Sequence, residues 1–146
     1  MTVRKDGAVV NEITAKNSNL SIRKLLSHAT SEDKVDQEYE KYIQLLNRKL
    51  YEFEFSGQVV GCIGIELSTN SIECEIKHIA VCQNHRGKGI GSKMINSIID
   101  KHKMSSIYAE TDSDAVNFYR NFGFEISSLG ERYPGVERFL CVYKSK

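Results

Sequence analysis

Proline is nearly absent from this 146-residue chain; the single residue, Pro134, sits in a late Tyr-Pro-Gly turn. No repeat, low-complexity tract or linker is visible either, so nothing divides the chain, and its length suits one domain over residues 1–146. Charge of one sign is also missing. Lys and Arg number 20 against 19 Asp and Glu, a formal net charge of +1, which lacks the basic excess of a general nucleic-acid binder. The longest apolar-or-glycine run, residues 59–65, falls far short of the ~20 residues needed to span a bilayer. The opening Met1-Thr2-Val3-Arg4-Lys5-Asp6 has no apolar stretch to serve as a signal peptide. Cys62, Cys74, Cys82 and Cys141 form no CxxC pair for zinc or redox chemistry, and three lie in hydrophobic stretches that suit reduced, buried thiols. His28, His85 and His102 share no metal-site spacing, so no metal is expected. These absences point to a soluble cytoplasmic protein with no nucleic-acid and no membrane partner.

Apolar residues make up 40% of the chain, enough for a core without staples. Residues 8–14 read as a first strand and 20–26 as a short helix. Residues 31–50 read as a longer helix, with Val35, Tyr39, Tyr42, Ile43 and Leu46 in one buried stripe, acidic residues early, and Arg48 and Lys49 at its end. The period then changes to two. Tyr51, Phe53 and Phe55 alternate with glutamates, residues 59–67 form a strand apolar enough to be covered on both faces, and residues 72–82 form a third. Strict alternation along the last would set Glu73, Glu75 and Lys77 on one face and Cys74, Ile76 and His78 on the other. Ile90, Met94, Ile95, Ile98 and Ile99 mark a helix, 107–110 a short strand, and Ala115, Phe118, Tyr119 and Phe122 a helix capped by Asp112 or Ser113 and stopped by Gly123. Residues 124–127 and 138–143 complete the sheet. Antiparallel strands first and helix crossovers later imply an α/β fold: a mixed, mostly antiparallel sheet of six or seven strands flanked by about four helices.

The most informative segment joins the third strand to the amphipathic helix: Val81-Cys82-Gln83-Asn84-His85-Arg86-Gly87-Lys88-Gly89-Ile90-Gly91-Ser92. Glycines let the backbone turn sharply and approach a ligand, and the first turn of a helix presents unpaired N–H groups at its positive end. Together they make a phosphate site, with Arg86 and Lys88 adding charge. The Walker spacing is absent, and Gly87, Gly89 and Gly91 stand as GxGxG rather than the GxGxxG of a dinucleotide fold.

Here the chain resembles the GNAT superfamily of acyl-CoA N-acyltransferases. Arg86-Gly87-Lys88-Gly89-Ile90-Gly91 is similar to its coenzyme A pyrophosphate loop, and Ile79-Ala80-Val81 to the strand end leading into it. Ala115-Val116-Asn117-Phe118-Tyr119-Arg120-Asn121-Phe122-Gly123-Phe124 is similar to its second signature, A-x-x-F-Y-x-x-x-G-F. The likeness covers residues 59–143 well and the first third by element order only. Gln83 stands where a proline is common, and Asp112 where a coenzyme-contacting Asn often is.

The resemblance implies acetyl-CoA as co-substrate, held by Ile79, Ala80, Val81, Arg86, Gly87, Lys88, Gly89, Ile90, Gly91, Ser92 and Asn117. It implies an N-acetyltransferase acting on a primary amine of a small molecule or of a peptide or protein; a non-catalytic acyl-CoA sensor is the alternative. Such a reaction needs three things. A lysine-like amine is only about 1 part in 2,500 neutral at pH 7, a deficit of roughly 4.6 kcal/mol that a base must offset. The resemblance offers Glu75 as that base; from the residues themselves, Glu66 and then His78 are the alternatives. The developing oxyanion needs a donor, which the family takes from main-chain N–H near Ile79 or Val81. The leaving thiolate needs an acid, and the signature tyrosine, Tyr119, is implied. The acceptor would lie over the N-terminal helices and residues 130–136, with Glu131, Arg132, Tyr133 and Pro134 as part of its wall. A homodimer is common in the resembled family.

Overall fold

A computed structural model describes residues 7–145 and the backbone of Thr2–Val3. The rest of the opening hexapeptide, read above as carrying no signal peptide, lies outside the described residues. In chain order the elements are β1 (Thr2–Val3), β2 (Val9–Glu12), α1 (Leu20–Ala29), α2 (Val35–Gln44), β3 (Arg48–Phe55), β4 (Gln58–Leu67) and β5 (Glu73–Val81). There follow α3 (Ile90–His102), β6 (Ser106–Asp112), α4 (Val116–Phe122), β7 (Glu125–Tyr133) and β8 (Val136–Lys144). The strands form one sheet in the order β1-β2-β3-β4-β5-β6-β8-β7. Every pairing is antiparallel except β5 with β6. Among the described residues, the mixed sheet with its four α-helices is the expected architecture; the two-residue β1 adds an eighth strand at one edge.

Two hydrophobic clusters lie on opposite faces of this sheet. Under α1 and α2 are Ile22, Leu25, Leu26, Val35, Tyr39, Tyr42, Leu50, Cys62 and Ala80. Under α3 and α4 are Ile63, Ile65, Ile76, Met94, Ile95, Ile98, Val116 and Tyr119 among others. Strand β4 feeds both, as its apolar run predicts: Cys62 faces one way and Ile63 and Ile65 the other. Burial pushes the Cys62 and Cys74 thiols up to about 12, which keeps them protonated and inert.

Several local expectations need correction. The helix read over residues 31–50 starts with a 3-10 turn at Glu32–Lys34 and stops at Gln44, where Leu45 becomes extended. Arg48 and Lys49, suited by charge to a helix end, are drawn into β3 by pairing with Glu66 and Ile65. Leu46 then stands in the turn, 93% exposed, and is no part of the stripe. The segment 130–136, left between the strands read at 124–127 and 138–143, is the paired tip of the hairpin between β7 and β8. Finally, Asp112 does not cap α4 directly: Ala115 is its N-cap, and Asp112 Oδ1 accepts the Asp114 and Ala115 amides at 3.0 Å in the turn before it.

The feature that builds the site is a slip in the β4–β5 ladder. Gly64 pairs with His78 but Ile65 pairs with Ile76, leaving Lys77 as an extra residue. Such a bulge reverses the alternation. Ile76 stays in the α3 cluster while His78 turns to the opposite face, against Tyr42 of α2. The pairing of His78 with Cys74 and Ile76 on one face, expected from strict alternation, is therefore wrong. Tyr42 gains access because residue 64 is glycine: a Cβ there would stand 2.0 Å from the Tyr42 hydroxyl oxygen. Gly64→Ala is expected to lower unfolding free energy by about 1–3 kcal/mol in urea titration, as overpacking does.

Candidate active site

Strands β5 and β6 pair over only three residues, Glu73–Glu75 with Ser106–Tyr108, and then part. Between them opens a cleft of about 830 Å³, floored by residues 76–81 on one side and Glu110, Thr111 and Asp112 on the other. The ladder to β4 decides which main-chain groups face it. Cys82 donates its N–H to the Val60 carbonyl at 2.8 Å. By antiparallel alternation the Ala80 and His78 amides also turn to β4, and those of Val81 and Ile79 turn into the cleft. The Val81 carbonyl accepts from Arg86 Nε at 3.1 Å, which ties the following loop to the strand end.

At the far end stands α3. Gly87 and Gly89 both hold φ +78, the left-handed region that glycine occupies without strain, and Gly89 is the helix N-cap. A Cβ on either would meet nothing within 4 Å, so conformation, not crowding, calls for glycine there. The turn aims the first amides of a 13-residue helix at the cleft, and Arg86, Gly87, Gly89, Ile90, Gly91 and Ser92 all line it. This fits a pyrophosphate. Gly91 differs from its neighbours: a Cβ there would lie 2.7 Å from a Phe118 ring carbon, so its smallness seats α4 against α3. Lys88 and Asn117 are exposed and outside the lining, and the Asn117 amide oxygen accepts from Arg120 of its own helix.

Tyr119 enters the cleft from α4. It is 5% exposed, its ring between Phe118 and Phe124 with both centroids 5.1 Å away. Among the described residues nothing hydrogen-bonds its hydroxyl, and burial raises its pKa further above the ordinary tyrosine range. The group is thus a protonated, unengaged donor.

The other candidates for proton chemistry lie around the apex where the strands part. Glu75 pairs in register with Glu66 on β4 and Tyr108 on β6, at the last rung before the cleft. Its Oε1 accepts from Lys77 at 3.3 Å, and it is absent from the cleft lining. Glu66 is held by Arg48 Nε at 2.8 Å. His78 lines the cleft, but its Nδ1 is 2.5 Å from the Tyr42 hydroxyl and its Nε2 is 3.7 Å from Glu38. Burial pushes His78 down to about 4, with the Glu38 carboxylate opposing. Glu131, Arg132, Tyr133 and Pro134 sit at the exposed hairpin end, whereas Arg138 of the same hairpin reaches the cleft.

Sequence reasoning missed His28, Glu110 and Arg138, which line the cleft from α1, β6 and β8. None belongs to a motif; only the meeting of distant elements brings them in. His28, His78 and His85 share this cleft, yet among the described residues no three His, Cys, Asp or Glu side chains gather closely enough to hold a metal ion. No helix among those residues is long and apolar enough to cross a membrane.

Residues 47–126 match the family model described as an acetyltransferase (GNAT) domain. The chain belongs to the GNAT family. The matched span runs from the start of β3 through α4 and so contains both signatures and the parted strands. Among curated GNAT-like relatives, the N-alpha-acetyltransferase RimI of Mycobacterium tuberculosis is 34% identical over 82 residues, 53% of this chain and 52% of that protein. An uncharacterized N-acetyltransferase of Bacillus methanolicus is 34% identical over 67 residues, 46% of this chain and 55% of its own length. The chain spans about half the length of these curated relatives or less. A GNAT family acetyltransferase from Elizabethkingia anophelis, solved with acetyl-CoA bound, superposes with a TM-score of 0.72 at 22% identity. That match covers 97% of this chain and 100% of the other, and it shows a shared GNAT fold.

Proposed function

We propose that this GNAT domain moves an acetyl group from acetyl-CoA to a primary amine of a small molecule or peptide by direct displacement. One observation carries the reading: a single cleft joins a glycine-opened helix start, two unpaired main-chain amides and an unengaged tyrosine hydroxyl. Bound acetyl-CoA supplies the activated acyl group. The loop amides from Gly87 to Ser92, with Arg86, hold its diphosphate, while Ile79, Ala80 and Val81 flank the arm that runs along β5. The Ile79 and Val81 N–H groups take the negative charge that develops on the thioester oxygen. Tyr119 gives its proton to the departing sulfur.

Glu75 is the proposed base. It stands at the cleft apex, and since it does not itself line the cleft, a bridging water would carry the proton from the acceptor ammonium. Glu75→Gln is expected to remove the acidic limb of the kcat/KM profile, with Glu110→Gln leaving that limb in place. The reverse pattern moves the role to Glu110. Incubation with acetyl-CoA and a panel of amines and peptides, following thiol release and acetylated product, tests the function as a whole. Product with at least one amine supports transfer. Saturable acetyl-CoA binding with no product across the panel supports the sensor reading instead.

A further inference from the structure

The bulge at Lys77 lies where β5 has already lost β6 as a neighbour, so β4 alone holds this stretch of backbone. An extra residue in a strand bonded along one edge is a loose arrangement. Yet the next amide, that of Ile79, is one of the two proposed to meet the thioester oxygen, and such donors work only when held in place. What secures the bulge is a side-chain network on the face opposite α3. His78 is 8% exposed, and its Nδ1 lies 2.5 Å from the Tyr42 hydroxyl oxygen. Glu38 Oε1 faces Nε2 at 3.7 Å and lies 3.5 Å from Arg48 Nη1. Arg48 sets its guanidinium 5.4 Å from the Tyr42 ring centroid and binds Glu66 through Nε. These charges favour one tautomer. Glu38 is acceptor-only and favours hydrogen on Nε2, so Nδ1 is the acceptor and Tyr42 the donor. Tyr42 reaches this place because Gly64, the register partner of His78, has no Cβ.

We propose that the Tyr42–His78 hydrogen bond is a clamp that fastens the β5 bulge to α2 and so aims the Ile79 N–H into the cleft. Tyr42 and His78 are then positioning residues, and His78 is not the base, since its Nδ1 is held by the Tyr42 hydroxyl and its Nε2 faces Glu38 rather than an open site. The catalytic part of this inference rests on the acetyl-transfer reading above; the mechanical part does not.

The full-length protein and two conservative variants test it. Tyr42→Phe removes only the hydroxyl. Its kcat is expected to fall by about tenfold to a hundredfold, as misplaced oxyanion donors do, with KM for acetyl-CoA within about twofold. Amide hydrogen exchange at residues 76–81, measured without ligand, should quicken by about tenfold or more while α3 is unchanged. His78→Asn places an amide oxygen where Nδ1 was, so it should keep slow exchange, most of kcat and the wild-type pH profile. Wild-type exchange in Tyr42→Phe overturns the clamp. A His78→Asn variant that holds its amides but loses kcat together with a limb of the pH profile overturns the positioning role, because His78 would then itself carry a proton. Should the wild type acetylate no amine, the acetyl-transfer reading fails on its own, and the exchange measurement still decides the clamp. Lys41 and Lys77, which also bear on His78, are unchanged in both variants.

Discussion

Replacing Tyr119 by phenylalanine is expected to lower kcat by roughly tenfold to a hundredfold, at the lower end of what general acids contribute. Acetyl-CoA affinity should stay within about twofold, because neutral hydroxyl hydrogen bonds add little net binding. The substitution is clean because packing does not depend on the hydroxyl: the ring sits between Phe118 and Phe124, and no described residue bonds the oxygen. The side chain is 5% exposed, and its burial keeps the proton on at every working pH, so the variant loses a donor rather than a charge. A coenzyme thiol with pKa of about 8.5 leaves with difficulty as a bare anion, and a placed proton relieves that. The loss should therefore shrink with acyl donors whose thiol is more acidic. Steady-state kinetics with two such donors measures both effects. A variant with wild-type kcat removes Tyr119 from the chemistry.

Gly89→Val is expected to weaken acetyl-CoA binding by about a hundredfold or more, with a fold that survives. Gly89 holds φ +78 at the N-cap of α3, and a Cβ there touches nothing within 4 Å. The substitution thus acts through the backbone alone. A branched residue resists the left-handed region at a cost of about 1–2 kcal/mol. To escape it the turn must reopen and swing the first α3 amides away from the cleft. Losing two hydrogen bonds to a charged phosphate group costs about 3–6 kcal/mol. Calorimetry reads the affinity and thermal unfolding the stability. Gly91→Val is a poorer probe, because its Cβ drives into the Phe118 ring and separates α3 from α4 whether or not coenzyme binds.

Much of this was legible in the residues. The two signatures, Arg86 to Gly91 and Ala115 to Phe124, and the change from helical to strand period after residue 50 suffice to place α3, α4 and the central strands. Patterns that depend on one segment were readable. What was hidden depends on two. Arg48 and Lys49 look like a helix end, and only pairing with Glu66 and Ile65 makes them strand. The bulge at Lys77 leaves no mark in "EIKHIA", because it arises from register with Gly64 and the seat that glycine gives Tyr42. That one slip moves His78 from the face of Ile76 to the face of Tyr42 and changes its meaning. Glu110, His28 and Arg138 reach the cleft through strand order and helix packing, which no local spacing encodes.

The central claim is that main-chain amides around the start of α3 grip the diphosphate of acetyl-CoA. Amide NMR of the full chain, titrated with acetyl-CoA, reads those groups one by one. Saturable shifts centred on Gly87, Gly89, Ile90, Gly91 and Ser92, with a second group at Ile79 and Val81, are the predicted result. Shifts that never saturate, or that fall elsewhere and leave these seven amides unmoved, would contradict it.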